Sequence, residues 1–118
     1  MNIAILENEK VLAQACLDRL KQALGPGIPA RLGQPQERQH DFALHIGTKP
    51  ALDLVVEAKT RIATRNQALH IILQLQDMAG KAMVFADWIP EPIGDEFRKA
   101  GVFFADAQGN IFLRRPPR

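Results

Sequence analysis

Three residues have types and spacing that suit chemistry: Asp41, and the pair Glu57 and Lys59 that closes the apolar run "LDLVVEAKT" (52–60). Two carboxylates a few ångströms apart raise each other's pKa unless a cation neutralises them. Oxygen ligands and paired negative charge suit a hard divalent ion, Mg²⁺ most readily. Such an ion lowers the pKa of bound water, orients a phosphodiester and stabilises charge as the bond breaks. A lysine beside the pair orients or deprotonates that water and stabilises developing negative charge. The combination suits phosphodiester hydrolysis. A bare Glu-x-Lys is also a common solvated strand end, so everything depends on whether Asp41 stands beside it.

The stretch "HDFALHIGTKPALDLVVEAKT" must do the positioning. Phe42, Leu44 and Ile46 alternate, "GTKP" turns the chain, and Leu52, Leu54 and Val56 alternate again, the period-2 mark of a hairpin. Setting Ile46 opposite Leu52 makes one face wholly apolar; a one-residue slip would mix the faces along both strands. In that register Asp41 lies across from Glu57, and His45 lies across from Asp53. The polar face then carries Asp41, His45, Asp53, Glu57 and Lys59. Downstream, Lys59, Arg61 and Arg65 cluster at the strand end and the start of the next helix. There, free backbone N–H groups and the helix dipole favour an anion, and basic side chains attract phosphates without reading sequence.

Around the hairpin, Leu12, Cys16, Leu20 and Leu24 recur every fourth residue and predict an amphipathic helix from about Ile5 to Leu24, ended by "GPG". "IPARLG" predicts a short strand that Pro29 places at an edge. Thr64-x-x-Gln67 reads as a capping box opening a helix with Ala68, Leu69, Ile72, Leu75 and Ala79 as its buried stripe, closed by Gly80. "AMVFA" (82–86) suits a strand covered on both faces. "PEPIGDEFRKAG" has prolines at entry, acids in its first turn, bases in its last and glycine after, the signature of a short helix. "VFFAD" and "NIFLR" close the chain as a hairpin or as a strand with an extension, with the Asp106–Asn110 phrase as a turn. The expected order is α-β-β-β-α-β-α-β-β, a mixed β-sheet flanked by helices in the α/β class.

A chain of 118 residues is one domain, and 47% hydrophobic with 24% charged residues is a globular composition. We expect a single domain over residues 1–114 and a basic tail at 115–118, "RPPR", that reads as the start of a linker. A formal charge of +2 permits a nucleic-acid partner only if positive charge is clustered. The lone Cys16 rules out an internal disulfide and reads as a small core residue of a protein in a reducing compartment. No apolar run approaches the ~18–20 residues that span a bilayer, and "MNIAILENEK" lacks the basic region of a secretory signal; the expectation is a cytoplasmic domain. Glu9, beside the first helix's apolar stripe, reads as a solvent-facing acid, with reach into the polar site as the alternative. His70 and Gln74 read as a solvated helix face, and Trp88 as a packing residue or the wall of a cleft.

Asp41 followed by Glu57-Ala58-Lys59 after a hairpin, within this element order, resembles the PD-(D/E)xK superfamily of restriction-endonuclease-like nucleases; His40 stands where that motif has its often-absent proline. The resemblance implies a restriction-endonuclease-like fold, Asp41 and Glu57 as metal ligands with the Ala58 carbonyl as a further one, Lys59 as the catalytic lysine, Mg²⁺ as cofactor and DNA as partner. The second half is similar to the AbiEi-type antitoxin and transcriptional-regulator family. That resemblance rests on "LVVEAKTR", Gln74-Leu75, Trp88 with Pro90, the helix ending at Gly101, and Asp106, Gly109 and Asn110. It implies a nucleic-acid-associated domain of a regulator with a cognate toxin or other protein partner, and carries no catalytic residue. Of these the regulator domain is the reading preferred from sequence, an active Mg²⁺-dependent nuclease using Asp41, Glu57 and Lys59 is the alternative, and a non-catalytic scaffold is the third; a homodimer is the commonest assembly.

Overall fold

The computed structural model describes residues 3–35, 40–48 and 51–114, with the backbone alone for residues 3–7. The turn residues Lys49 and Pro50 and the expected basic tail at 115–118 lie outside the described residues. The elements are α1 (Ile3–Leu24), β1 (Ala30–Gly33), β2 (Phe42–Ile46), β3 (Leu52–Lys59), α2 (Arg65–Leu75), β4 (Ala82–Ala86), α3 (Glu91–Ala100), β5 (Phe103–Asp106) and β6 (Ile111–Phe112), with a 3₁₀ turn at Gln76–Met78. This is the predicted order. The first helix starts two residues earlier than the periodicity placed it.

One six-stranded mixed sheet takes its strands in chain order, β1 to β6. β1, β2 and β3 are antiparallel, β4 and β5 continue parallel to β3, and β6 turns back on β5. The two crossovers, through α2 and α3, advance in the same direction. Crossovers of one hand in one direction put their helices on one face, so the opposite face falls to α1.

The sheet's alternation sorts the core into two layers. Leu44, Ile46, Leu54, Val56, Met83, Phe85, Phe103 and Ala105 meet Leu12, Ala13, Cys16, Leu17 and Leu20 of α1. Ala82, Val84, Ala86 and Phe104 meet Ala68, Ile71 and Leu75 of α2 and Ile93 and Phe97 of α3. Every residue of β4 is buried, as a central strand between helix layers requires. The hairpin register is the predicted one: Phe42 faces Val56, Leu44 faces Leu54, His45 faces Asp53 and Ile46 faces Leu52.

The stripe on α2 differs from expectation. Ala68, Ile71 and Leu75 are buried, Leu69 and Ile72 are only half-buried, and Ala79 is exposed beyond the helix end. Two adjacent isoleucines offer nearly equivalent apolar stripes, and the line of small β4 residues beneath the helix selects Ile71. The helix stops at Leu75 and tightens into the 3₁₀ turn, and Gly80 then reverses the chain at φ +81°. Thr64 and Gln67 form the predicted capping box in full. Gly101 ends α3 in the left-handed conformation, φ 72°. Among the described residues no helix is long and apolar enough to cross a membrane.

Candidate functional site

β3 delivers alternate side chains to opposite sides. Leu54 and Val56 go into the α1 layer, while Val55 borders the α2–α3 layer, so Glu57 and Lys59 emerge on the side of the sheet that Val55 faces. The ladder between β2 and β3 ends at Phe42 and Val56. Asp41 lies one position beyond and stays tied to β3: its N–H donates to the Val56 carbonyl at 3.1 Å, and the Ala58 N–H donates to Asp41 Oδ2 at 2.9 Å. The carboxylate is thus held against the segment Glu57-Ala58 and is half-buried. Lys59 is half-buried and forms no ion pair among the described residues. The predicted acid, acid and lysine therefore share one end of β3.

Two residues join them that periodicity did not single out as members. His40, read from sequence only as the occupant of a proline position, is buried, and its Nδ1 lies 2.9 Å from Glu57 Oε1. His40 makes the direct contact with Glu57 that the register assigned to Asp41. Glu9, expected to face solvent, is half-buried on α1. Its carboxyl is held above its ordinary pKa, first by desolvation and then by the negative charges of Asp41 and Glu57, with Lys59 pulling the other way. The charges of Asp41, Glu57 and Lys59 thus all act on Glu9.

Asp41 Oδ1 and Glu57 Oε2 take no hydrogen bond among the described residues, so each acid keeps an oxygen for a ligand. No group of three or more His, Cys, Asp or Glu among the described residues is disposed to hold a metal. Mg²⁺ does not require one, since it is commonly bound by one or two carboxylates together with phosphates and water. The donor set fits that ion in charge and in hardness.

Lys59 opens onto a groove of ≈ 500 Å³ that it lines with Arg61, Asn66, Gln67, His70, Ile71 and Gln74. Of the expected phosphate-binding trio, Lys59 and Arg61 meet there. Arg65 does not: its Nε turns to Glu96 of α3 at 3.3 Å. His45 and Asp53 form a hydrogen-bonded pair at 2.6 Å at the other end of the hairpin, the ordinary role expected of them. Cys16 is buried with Sγ against the Ala86 carbonyl at 3.4 Å, and burial pushes its thiol up to about 12. It is a core residue, as its neighbours implied.

The Asp106–Asn110 phrase is a turn, as read, but Asp106 is more than punctuation. Wholly buried, it accepts from the N–H groups of Ile89 (2.8 Å), Gln108 (3.0 Å) and Asn110 (2.8 Å) and from Asn110 Nδ2 (2.8 Å). One carboxylate thereby welds the end of β5 to the segment after β4. Trp88 in that segment is 55% exposed and lines a cavity with Gly94, Arg98, Phe104 and Asn110, so it walls a cleft and is not a packing residue. Comparisons with known proteins return no matching family model, no similar curated protein and no similar solved structure.

Proposed function

We propose that this chain is a restriction-endonuclease-like domain that hydrolyses phosphodiester bonds in nucleic acid with the help of Mg²⁺. The observation that carries the reading is the convergence of Asp41, Glu57 and Lys59, the last without an ion pair among the described residues, at one end of β3, with Glu9 in the field of all three. The helix–three-strand–helix–strand order, antiparallel up to β3 and parallel after it, agrees with that fold family. Asp41 and Glu57 would hold the ion, with the Ala58 carbonyl beside them. When bound, it supplies an acidified water and charge neutralisation at phosphorus. Lys59 orients the attacking water or steadies the developing negative charge. Lys59 and Arg61 hold the flanking phosphates. His40 fixes the Glu57 carboxylate so that one oxygen faces the site.

The second reading is a nucleic-acid-associated domain of an AbiEi-type regulator that binds without cutting. The observation favouring it is that His40 already occupies Glu57 Oε1, which leaves fewer oxygens for a metal. Plasmid, branched and single-stranded DNA incubated with Mg²⁺ or Mn²⁺ separate the two. Cleavage by the wild type that Lys59→Ala abolishes supports the enzyme. Salt-sensitive binding without cleavage, lost on changing Arg61, supports the regulator; absence of both leaves a scaffold.

A further inference from the structure

We infer that the exposed flank of α2 is a reading face for unpaired bases, with Asn66 and Gln74 recognising base edges and His70 stacking between them. The inference rests on the nucleic-acid reading above and adds the form of the substrate and the residues that choose it.

Asn66, His70 and Gln74 recur at intervals of four residues, so at ~100° per residue they form a continuous polar stripe beside the buried Ala68, Ile71 and Leu75 line. All three are exposed, and none makes a side-chain hydrogen bond among the described residues. Gln67, by contrast, is spent on the cap: its Oε1 accepts from Ala63 and Thr64 N–H at 2.8 and 3.1 Å. The stripe forms one wall of the groove, Lys59 and Arg61 supply its positive charge, and no carboxylate lines it among the described residues. Glu57, the acid nearest Lys59 along β3, is bonded to His40 and not to the lysine. The groove is therefore complementary to an anionic strand.

The chemistry of the wall argues for bases as well as phosphates. A carboxamide offers a donor and an acceptor side by side, the pattern that pairs with adenine's amino group and ring nitrogen. An imidazole is a flat ring on which a base stacks, and Ile71 gives the floor an apolar patch. From Asn66 to Gln74 the helix rises about 12 Å, the span of roughly three to four stacked nucleotides at 3.4 Å each. The stripe lines the wall of a concave groove whose other side carries Lys59 and Arg61, a shape that admits an extended strand and not the convex edge of a duplex. The bases must come to the helix, which requires them unpaired.

The test is fluorescence anisotropy of labelled 12-nucleotide oligo(dA), oligo(dC) and oligo(dT), and of a duplex of equal length, in EDTA so that cleavage plays no part. The wild type binds oligo(dA) several-fold more tightly than oligo(dC), and the single strands more tightly than the duplex. The double variant Asn66→Ala, Gln74→Ala loses the preference for adenine but keeps the salt slope. Lys59→Ala with Arg61→Ala weakens every single strand alike and lowers the slope of log K against log salt by about 1.4, the value for two phosphate contacts on a single strand. Circular dichroism melting confirms that each variant is folded. Unchanged base preference in the Asn66, Gln74 variant, or tighter binding of the duplex, overturns the reading face and leaves the nucleic-acid reading intact. A wild type that binds none of the probes overturns both.

Discussion

Replacing Asp106 by alanine removes four hydrogen bonds to one buried carboxylate, and its cost can be worked from where the donors lie. Ile89 is 2% exposed; its N–H is left without an acceptor in a place water does not reach, worth about 1–3 kcal/mol. Gln108 and Asn110 are exposed, so water recovers most of what their N–H groups lose, at about 0.5–1 kcal/mol each. The total is about 2–5 kcal/mol. Unfolding entropy for 118 residues is on the order of 250 cal/mol/K, so each kcal/mol moves Tm by about 4 °C. Asp106→Ala therefore melts about 8–20 °C lower than wild type in calorimetry. Asp106→Asn, which retains one acceptor oxygen but points an amide at other donors, falls about halfway. Amide hydrogen exchange locates the effect: protection of Ile89 N–H is lost while the core amides of β4 follow only the global change. A loss under ~1 kcal/mol, or unaltered protection at Ile89, would refute the claim that this carboxylate joins β5 to the segment after β4.

Glu9→Gln raises Tm at pH 7: burial and the neighbouring carboxylates raise the Glu9 carboxyl above its ordinary 4.5, so the ionised form is disfavoured on folding. The gain vanishes below pH 4.5, where the acid is protonated folded and unfolded, and a melting series across pH 3–8 reads it. Saturating Mg²⁺ narrows the same gap at pH 7 if the ion neutralises the carboxylates. Native Cys16 resists a thiol reagent at pH 8 and reacts at once in denaturant. Because its thiol rises from 9.0 to about 12 on folding, the unfolded chain loses that proton first and stability falls as pH climbs through this window. Thr64→Ala removes the oxygen that caps Gln67 N–H at 3.2 Å and costs about 1 kcal/mol, seen as a Tm loss of about 4 °C.

Much of this molecule is written locally. Alternation in "FALHI" and "LDLVVEAK" could satisfy only one register, because a slip by one residue would bury Asp53 and expose Leu54. That register alone put Asp41 level with Glu57. Thr64 and Gln67 declared the start of α2 through a bond that closes within four residues, and the unbroken apolar run of β4 declared a strand with helices on both sides. Signals of this kind are legible because partner and cause lie within one element or one hairpin.

What tertiary structure decided has its causes farther apart. Whether Ile71 or Ile72 faces the sheet depends on the profile of β4 beneath α2, not on the helix pattern. Arg65 leaves the cluster with Lys59 and Arg61 because α3 brings Glu96 within reach, 31 residues on in the chain. Glu9 joins the site through the docking of α1 on the opposite layer of the sheet, and His40 reaches Glu57 by a bend before β2 that follows no period. A periodic pattern shows which face of an element is buried. It does not show where along that face two elements cross, and here the crossing gathers Glu9, His40, Asp41, Glu57 and Lys59 at one strand end.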